Sequence, residues 1–179
     1  MINKVAEFEK VSYEQFKKDW IDTFESKFNE IDSVYIDKTI HEIYESIKLP
    51  KRATSGSAGY DFFCPAVLSI IRDKAIKIPT GIRCKIEEGW VLQAYPRSGH
   101  GFKTGIHLAN TVGIIDSDYY HSDNEGHIFI KLVNDSVLSQ NSMLKAGDAF
   151  CQGILTPYGL TYSDNVSEVR NGGFGSTSK

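Results

Sequence analysis

Glycine is confined to one part of this chain: of its 179 residues, all 15 glycines follow position 50 and none precedes it. Four of the five prolines also lie beyond that point, and Pro50 itself marks the boundary. Glycine and proline allow the tight turns that join short strands, whereas their absence favours helices. The distribution therefore predicts a helical extension over residues 1–50, followed by a turn-rich region of different architecture.

Two amphipathic helices are predicted within the N-terminal extension. Ser12 followed by Gln15 is a capping-box pattern, and the apolar residues after it recur at helical spacing, which places a first helix near residues 12–26. Asp37 is the predicted N-cap of a second helix, which Pro50 ends. The apolar stripes of both helices predict a packing surface rather than a cofactor site.

The chain after Pro50 has a different period. Short runs of β-branched and aromatic residues alternate with glycine and proline roughly every 8 to 12 residues. The predicted strands cover residues 67–71, 75–78, 81–86, 90–95, 127–133 and 148–156. Because no long amphipathic helix separates them, a parallel α/β sheet is disfavoured and an all-β barrel or sandwich is favoured. This mainly β region spans residues 51–169, and the glycine-rich residues 170–179 form a tail.

Charge and cysteine content exclude several classes of protein. Residues 1–50 carry 7 lysines and 11 acidic residues (7 − 11 = −4), and the remainder carries 13 basic and 12 acidic residues (13 − 12 = +1). Neither part is basic enough to wrap nucleic acid. The absence of a long apolar run and of a signal-peptide pattern predicts a cytoplasmic protein without membrane association. Cys64, Cys84 and Cys151 form no Cys-x-x-Cys pair and are predicted to be buried small side chains.

Five short polar segments carry candidate chemistry, and each also has a purely structural interpretation. The first places Asp61 after a glycine turn, where an aspartate is commonly a turn residue. The second supplies the guanidinium of Arg97, the hydroxyl of Ser98 and the backbone N–H of Gly99. These groups suit phosphate oxygens, although a polar hairpin loop has the same composition.

The third segment, residues 110–119, is the most informative. An apolar Gly-Ile-Ile run leads to Asp116 and then to Tyr119. A carboxylate at the end of an apolar strand is placed to accept a proton from water, and an aromatic ring three residues later offers a flat face to a sugar or a base. An Asx turn between two strands explains the same residues equally well.

The fourth and fifth segments lie toward the C-terminus. Gln152 stands inside an apolar strand, where its amide must find partners in the protein or in a ligand. The tail combines a cation, a ring and two hydroxyls on a glycine-rich backbone: Arg170, Phe174, Ser176 and Thr177. Because disordered tails are usually poor in aromatics, this combination predicts a segment that orders over a ligand. It lacks the Gly-x4-Gly-Lys-[Ser/Thr] pattern of P-loop nucleotidases.

Taken in order, the five segments resemble the trimeric dUTP nucleotidohydrolases (dUTPases). The motifs that carry the resemblance are Ala-Gly-x-Asp, Pro-Arg-Ser-Gly, Gly-x-Ile-Asp-x-x-Tyr, Gly-Asp-x-x-x-Gln and a C-terminal Gly-Gly-Phe-Gly-Ser-Thr, which together run from about residue 55 to 178. The resemblance implies a jelly-roll-like β-barrel that assembles as a homotrimer. Each active site would be built from three chains and closed by residues 170–179 of one of them, and the first 50 residues lie outside the resemblance.

The resemblance also implies a role for each site residue. Asp116 would be the general base that activates the water attacking the α-phosphorus of dUTP, releasing dUMP and pyrophosphate. Tyr119 would stack under the deoxyribose and leave no space for a 2′-OH. The residues that bind the phosphates would be Arg97, Ser98, Gly99 and Gln152. Those that read the uracil would be Asn110, Ile114 and Ile115. The tail would contribute Arg170, Phe174, Ser176 and Thr177. Mg²⁺ would bind the triphosphate and waters rather than direct protein ligands, while Asp61 and Gly113 would support the site indirectly.

Two other functions remain open from the sequence. A dCTP deaminase shares the implied fold but uses a glutamate in its reaction centre, whereas the context Ile-Ile-Asp-Ser-Asp-Tyr favours hydrolysis. A nucleotide-gated regulatory protein could keep the fold and use residues 1–50 to bind an unknown protein partner. The chain also departs from the family motif after Tyr119, where residues 120–125 intervene before Gly126 and lengthen the loop expected near the uracil.

Overall fold

The computed structural model describes residues 3–24, 32–136 and 140–168, and within them the protein is mainly β. The strands are β1 Ala6–Lys10, β2 Lys51–Arg52, β3 Tyr60–Phe63, β4 Leu68–Ile71, β5 Ala75–Pro79, β6 Ile82–Ile86, β7 Trp90–Pro96, β8 Ile106–Leu108, β9 Gly113–Ile115, β10 Phe129–Asn134, β11 Asn141–Leu144 and β12 Ala149–Pro157. The helices are α1 Tyr13–Phe24, α2 Ser33–Ser46, α3 Ser98–Thr104 and a 3₁₀ helix Ser117–His121. All six predicted strands are confirmed, each within two residues of its expected bounds.

The strands form antiparallel sheets. The largest has the order β2-β3-β12-β7-β9, and the others are β5-β10-β8, β11-β4 and β1-β6. Every strand pair in these sheets is antiparallel. Such an arrangement needs only short turns between neighbours, which explains the frequent glycines of this region. The all-β interpretation of the chain after Pro50 is confirmed.

The N-terminal extension is packed onto the β region. Phe16 and Trp20 of α1, Ile40 of α2 and the following Ile47 are buried in the same apolar cluster as the strands. The two predicted helices are present, and the Gln15 N–H donates to the Ser12 hydroxyl at 3.1 Å, as the capping pattern predicts. The extension also contains a strand that was not predicted. This strand, β1, pairs with β6.

The prediction that Asp37 caps α2 is wrong. Asp32 is the N-cap, and its carboxylate accepts a hydrogen bond from the Val34 N–H at 2.7 Å. Asp37 lies inside the helix, where its Oδ1 accepts the Tyr13 hydroxyl at 2.7 Å and lies 2.6 Å from the Lys17 Nζ. Two partners from α1 thus engage the carboxylate that the sequence pattern assigned to a cap.

Cys64, Cys84 and Cys151 are buried and free, as predicted. Burial raises the pKa of each thiol to about 12, so all three are unreactive near neutral pH. Among the described residues, no helix is both long and apolar enough to span a bilayer.

Candidate active site

One end of the five-stranded sheet brings together three of the predicted site residues. Asp61 of β3 and Tyr95 of β7 flank Gln152 of β12 in the strand register. Just beyond β7, the Nε of Arg97 lies 3.1 Å from the Asp61 Oδ1. The Asp61 side chain is 15% exposed and that of Arg97 is 42% exposed. The carboxylate therefore anchors one N–H of the guanidinium, which has four further N–H donors.

The amide of Gln152 is held by its neighbours. Its Nε2 donates to the Pro96 carbonyl at 3.2 Å. Its oxygen packs against Gly59, where an added Cβ would lie 2.6 Å from Oε1. A side chain at position 59 would therefore displace the Gln152 amide, a constraint that the motif alone did not reveal because a glycine there also fits a turn.

The segment after β7 is a helix and not the hairpin loop that the sequence also allowed. Ser98 and Gly99 are the first two residues of α3, and both are exposed. The Gly101 N–H donates to the Arg97 carbonyl at 3.2 Å. Because the first N–H groups of a helix have no carbonyl partner within it, the start of α3 has backbone donors beside Arg97 that the helix itself does not pair.

The turn before β9 and the strand itself hold the predicted uracil-reading residues. Gly113 pairs with Ala94 of β7, and a Cβ on Gly113 would lie 3.2 Å from that of Ala94 and 3.7 Å from the Asn110 Nδ2. The glycine thus lets β9 lie close to β7, with the Asn110 amide alongside. Ile114 is exposed and Ile115 is buried, so the two alternate across the strand.

Asp116 and Tyr119 lie at the turn that follows β9. Asp116 is exposed at the start of the 3₁₀ helix, and its carbonyl accepts the Tyr119 N–H at 3.2 Å. Tyr119 is buried, and its hydroxyl donates to the His127 carbonyl at 2.7 Å and accepts from the Asn124 Nδ2 at 2.8 Å. The carboxylate is accessible to solvent, whereas the contact of the Tyr119 ring with a sugar stays a prediction.

The predicted phosphate-binding residues and Asp116 lie at different ends of the sheet. Gln152 is opposite Tyr95, whereas Ile115 is opposite Leu92, three residues earlier on β7. Asp116 follows Ile115 in the direction away from Tyr95, so it lies roughly 13 Å along the strand at about 3.3 Å per residue. A general base must lie within hydrogen-bonding reach of the water that it activates. One chain alone therefore does not join these residues in one pocket.

The predicted tail residues Arg170, Phe174, Ser176 and Thr177 lie outside the described residues. The chain that leads toward them, residues 158–168, is exposed along its whole length. It carries large apolar side chains, with Leu160 74% and Val166 76% exposed. The segment therefore has apolar surface that this single chain leaves in solvent.

Comparisons with known proteins identify the family. Residues 45–178 match the family model for dUTPase. The deoxyuridine 5′-triphosphate nucleotidohydrolase of Lactococcus lactis is 39% identical over 134 residues, which cover 73% of this chain and 88% of that protein. The chain belongs to the dUTPase family. The corresponding protein of Finegoldia magna is 38% identical over 136 residues and is covered to 90% of its length.

Solved dUTPase structures agree with the fold. A dUTPase from Streptococcus mutans superposes with a TM-score of 0.59 at 37% identity, over 65% of this chain and 90% of that chain. A dUTPase from phage phi11 of Staphylococcus aureus gives a TM-score of 0.58 at 22% identity, over 69% and 92% of the two chains, which is a likeness in fold. The predicted jelly-roll-like dUTPase fold is confirmed. The family match begins at residue 45, so β1 and α1 of this dUTPase precede it.

Proposed function

We propose that this dUTPase hydrolyses dUTP to dUMP and pyrophosphate, with Asp116 as the general base for the attacking water. Membership of the family makes the chain a dUTP diphosphatase. The observation that carries the mechanism is the exposed position of Asp116 at the start of the 3₁₀ helix, within the motif Gly-x-Ile-Asp-x-x-Tyr. An ionised carboxylate in that position accepts the proton of a water that attacks phosphorus.

The triphosphate is bound, on this proposal, at the other end of the sheet. Arg97 supplies guanidinium N–H groups, Ser98 and Gly99 supply backbone N–H groups at the start of α3, and Gln152 supplies its amide. Asp61 does not contact substrate but aligns Arg97 through the 3.1 Å contact with its Nε. Donors fixed in advance stabilise the charge that develops on phosphate oxygens during transfer.

The nucleoside is read by β9 and the turn before it. This strand lies at the edge of the five-stranded sheet, and an edge strand has backbone N–H and C=O groups that its own sheet does not pair. Uracil presents donors and acceptors on one edge, so the backbone of Ile114 and Ile115 with the amide of Asn110 suits it. Gly113 keeps β9 close to β7, and Tyr119 lies under the deoxyribose.

The active form is a homotrimer with shared sites. Along the strand direction, Asp116 lies roughly 13 Å from the level of Gln152, at about 3.3 Å per residue. This separation supports a site in which one protomer binds the phosphates and another supplies the base. The exposed Leu160 and Val166 support a neighbouring protomer as the surface on which residues 158–168 pack. In this assembly, Arg170, Phe174, Ser176 and Thr177 close the site of a neighbour.

The residues at the phosphate end fit a Mg²⁺ ion that is bound through the substrate. Within the described ranges, His, Cys, Asp and Glu form no group of three that could hold a metal. Asp61 is engaged by Arg97, and the guanidinium with the N–H groups of Ser98, Gly99 and Gln152 suits phosphate oxygens rather than a bare cation. When bound to the triphosphate, Mg²⁺ neutralises charge on the phosphate oxygens. Removal of dUTP would limit uracil in DNA and supply dUMP, and a cytoplasmic location belongs to the same proposal.

A pyrophosphate-release assay with dUTP, dTTP, dCTP and UTP, with and without Mg²⁺, tests the proposal. We expect pyrophosphate from dUTP far faster than from the other three, and faster with Mg²⁺. Ammonia release from dCTP without pyrophosphate release from dUTP would instead identify a deaminase. Nucleotide binding without any turnover would identify the regulatory alternative.

A further inference from the structure

The buried imidazole of His127 joins α1 to the loop after Tyr119. Its Nδ1 lies 2.5 Å from the Asp19 Oδ2 on α1, and its Nε2 accepts the Gly81 N–H at 2.8 Å. Because a backbone N–H only donates, Nε2 carries no proton, and the ring proton is on Nδ1. The imidazole is thus held as the neutral Nδ1–H tautomer, which donates to the Asp19 carboxylate.

The carbonyl of the same residue holds Tyr119. The Tyr119 hydroxyl donates to the His127 oxygen at 2.7 Å. Asn124 donates to that hydroxyl at 2.8 Å, and the Ser122 hydroxyl lies 2.7 Å from both the Tyr119 carbonyl and the Asn124 Oδ1. The position of the Tyr119 ring therefore depends on the backbone at residue 127, whose side chain is fixed by α1.

Two further contacts attach this loop to the N-terminal extension. The N–H and hydroxyl of Ser12 donate to the Glu125 carboxylate at 2.7 and 2.6 Å. Glu125 has a φ of +57°, a strained conformation for a residue with a side chain, which these bonds help to hold. The Tyr120 hydroxyl donates to Glu9 of β1 at 2.8 Å, and Arg83 lies over the Tyr120 ring.

These contacts connect two parts of the chain that depart from the dUTPase family pattern. Asp19 and Ser12 precede residue 45, where the family match begins, and residues 120–125 form the lengthened loop. We propose that Asp19 is a positioning residue, which sets Tyr119 through His127 and so contributes to selection of deoxyribose over ribose. Ser12 and Glu9 support the same loop. The inference rests on the role proposed above for Tyr119.

The test compares kcat and KM for dUTP and UTP in the wild-type trimer and three variants. Asp19→Ala removes the acceptor, and we expect the ratio of kcat/KM for dUTP to that for UTP to fall about fivefold or more, as for a lost charge-assisted hydrogen bond. Asp19→Asn keeps an oxygen that accepts the Nδ1–H, so its dUTP/UTP ratio of kcat/KM should lie between those of the wild type and Asp19→Ala. Asp22→Ala removes the same charge from an exposed position on the same helix and should leave the ratio unchanged.

Backbone hydrogen exchange over residues 117–127 gives a readout that does not depend on activity. Asp19→Ala should speed exchange there, whereas Asp22→Ala should not. A lower melting temperature with an unchanged dUTP/UTP ratio would overturn the inference and leave α1 a purely stabilising element. If Asp19→Ala does not fold, Asp19→Asn decides: a reduced ratio supports the inference and an unchanged one overturns it. Wild-type protein that releases no pyrophosphate from dUTP refutes the proposed function instead, while unchanged exchange in a folded Asp19 variant refutes the coupling.

Discussion

Gly59 and Gln152 are in contact so close that a Cβ at position 59 would lie 2.6 Å from the Gln152 Oε1. Real Cβ atoms do not approach an oxygen to this distance, so either residue would have to move. The missing Cβ of the glycine in the Ala-Gly-x-Asp motif leaves the space that the Gln152 amide occupies. It keeps the amide of Gln152 beside Arg97 and the start of α3.

The first prediction concerns this contact. Gly59→Ala should push the Gln152 amide out of position and raise KM for dUTP by about tenfold, the effect of losing about one hydrogen bond to a charged ligand. Steady-state kinetics measures it. Gly56→Ala is the matched control, because nothing lies within 4 Å of a Cβ at position 56. Equal KM values for the two variants would contradict the placement of Gln152 at the triphosphate.

The second prediction tests the general base. Asp116→Asn should lower kcat by a factor of about 10² to 10⁴, the usual contribution of a positioned base, and leave dUTP binding nearly intact. Turnover is measured by pyrophosphate release and binding by calorimetry. Asp118→Asn changes an exposed carboxylate in the same 3₁₀ helix and should keep full activity. Full turnover by Asp116→Asn would exclude it as the base.

Local patterns in the sequence predicted half of the described strands but not the contacts between distant segments. Six of the eleven described strands after Pro50 were recognised because alternating apolar residues and glycine or proline turns are local signals. β1 was missed because three of its five residues, Ala-Glu-Phe-Glu-Lys, are charged and because it is stabilised by pairing with β6 far along the chain. Asp32 and Asp37 carry the same side chain, which is common at N-caps, and sequence alone does not decide between them; in the structure Asp32 caps α2 and Asp37 contacts α1.

The candidate site divides in the same way. Asp116, Arg97 and Gln152 were predictable because each lies in a short contiguous motif. The contact between Asp19 and His127 joins residues that are far apart in sequence, and neither stands in a motif. An unexplained carboxylate on the face of α1 that also carries Phe16 was the only available signal. Its partner follows from the fold alone.

The third prediction tests whether protomers share active sites. Arg97→Gln and Asp116→Asn should each abolish most activity as pure proteins. When the two are unfolded together in equal amounts and refolded, about one site in three of each mixed trimer, or about a quarter of all sites, should combine an intact Arg97 with an intact Asp116, if these come from different chains. Recovered pyrophosphate release measures that fraction. No recovery, despite mixed trimers seen by native mass spectrometry, would place both residues of a site in one chain.

The fourth prediction concerns the tail. Deletion of residues 170–179 should abolish most hydrolysis, because it removes the cation, ring and hydroxyls predicted to close the site. Sedimentation should show the same trimer, since the deleted residues act on substrate and not on assembly. Deletion of residues 178–179 alone is the control and should keep activity. A fully active protein that lacks residues 170–179 would remove the tail from the mechanism.

The fifth prediction is that Glu125 makes a contribution to folding stability that varies with pH. Burial raises the pKa of this carboxyl, but the hydrogen bonds from the Ser12 hydroxyl and N–H outweigh it, so the net pKa lies below its ordinary value of 4.5. The folded protein then binds this proton less tightly than the unfolded chain does. The contribution to stability is therefore complete above the ordinary pKa and is lost as pH falls through the folded one.

Glu125→Gln isolates this contribution, because it removes the titrating group and keeps the shape of the side chain. We expect wild type to melt at a higher temperature than Glu125→Gln at neutral pH, and the difference to shrink below about pH 4.5, where the unfolded carboxyl takes up its proton. Scanning calorimetry across this range measures it. Glu88→Gln changes an exposed glutamate on the turn before β7 and should show no such convergence. A difference that is constant with pH would mean that Ser12 does not hold Glu125 as a carboxylate.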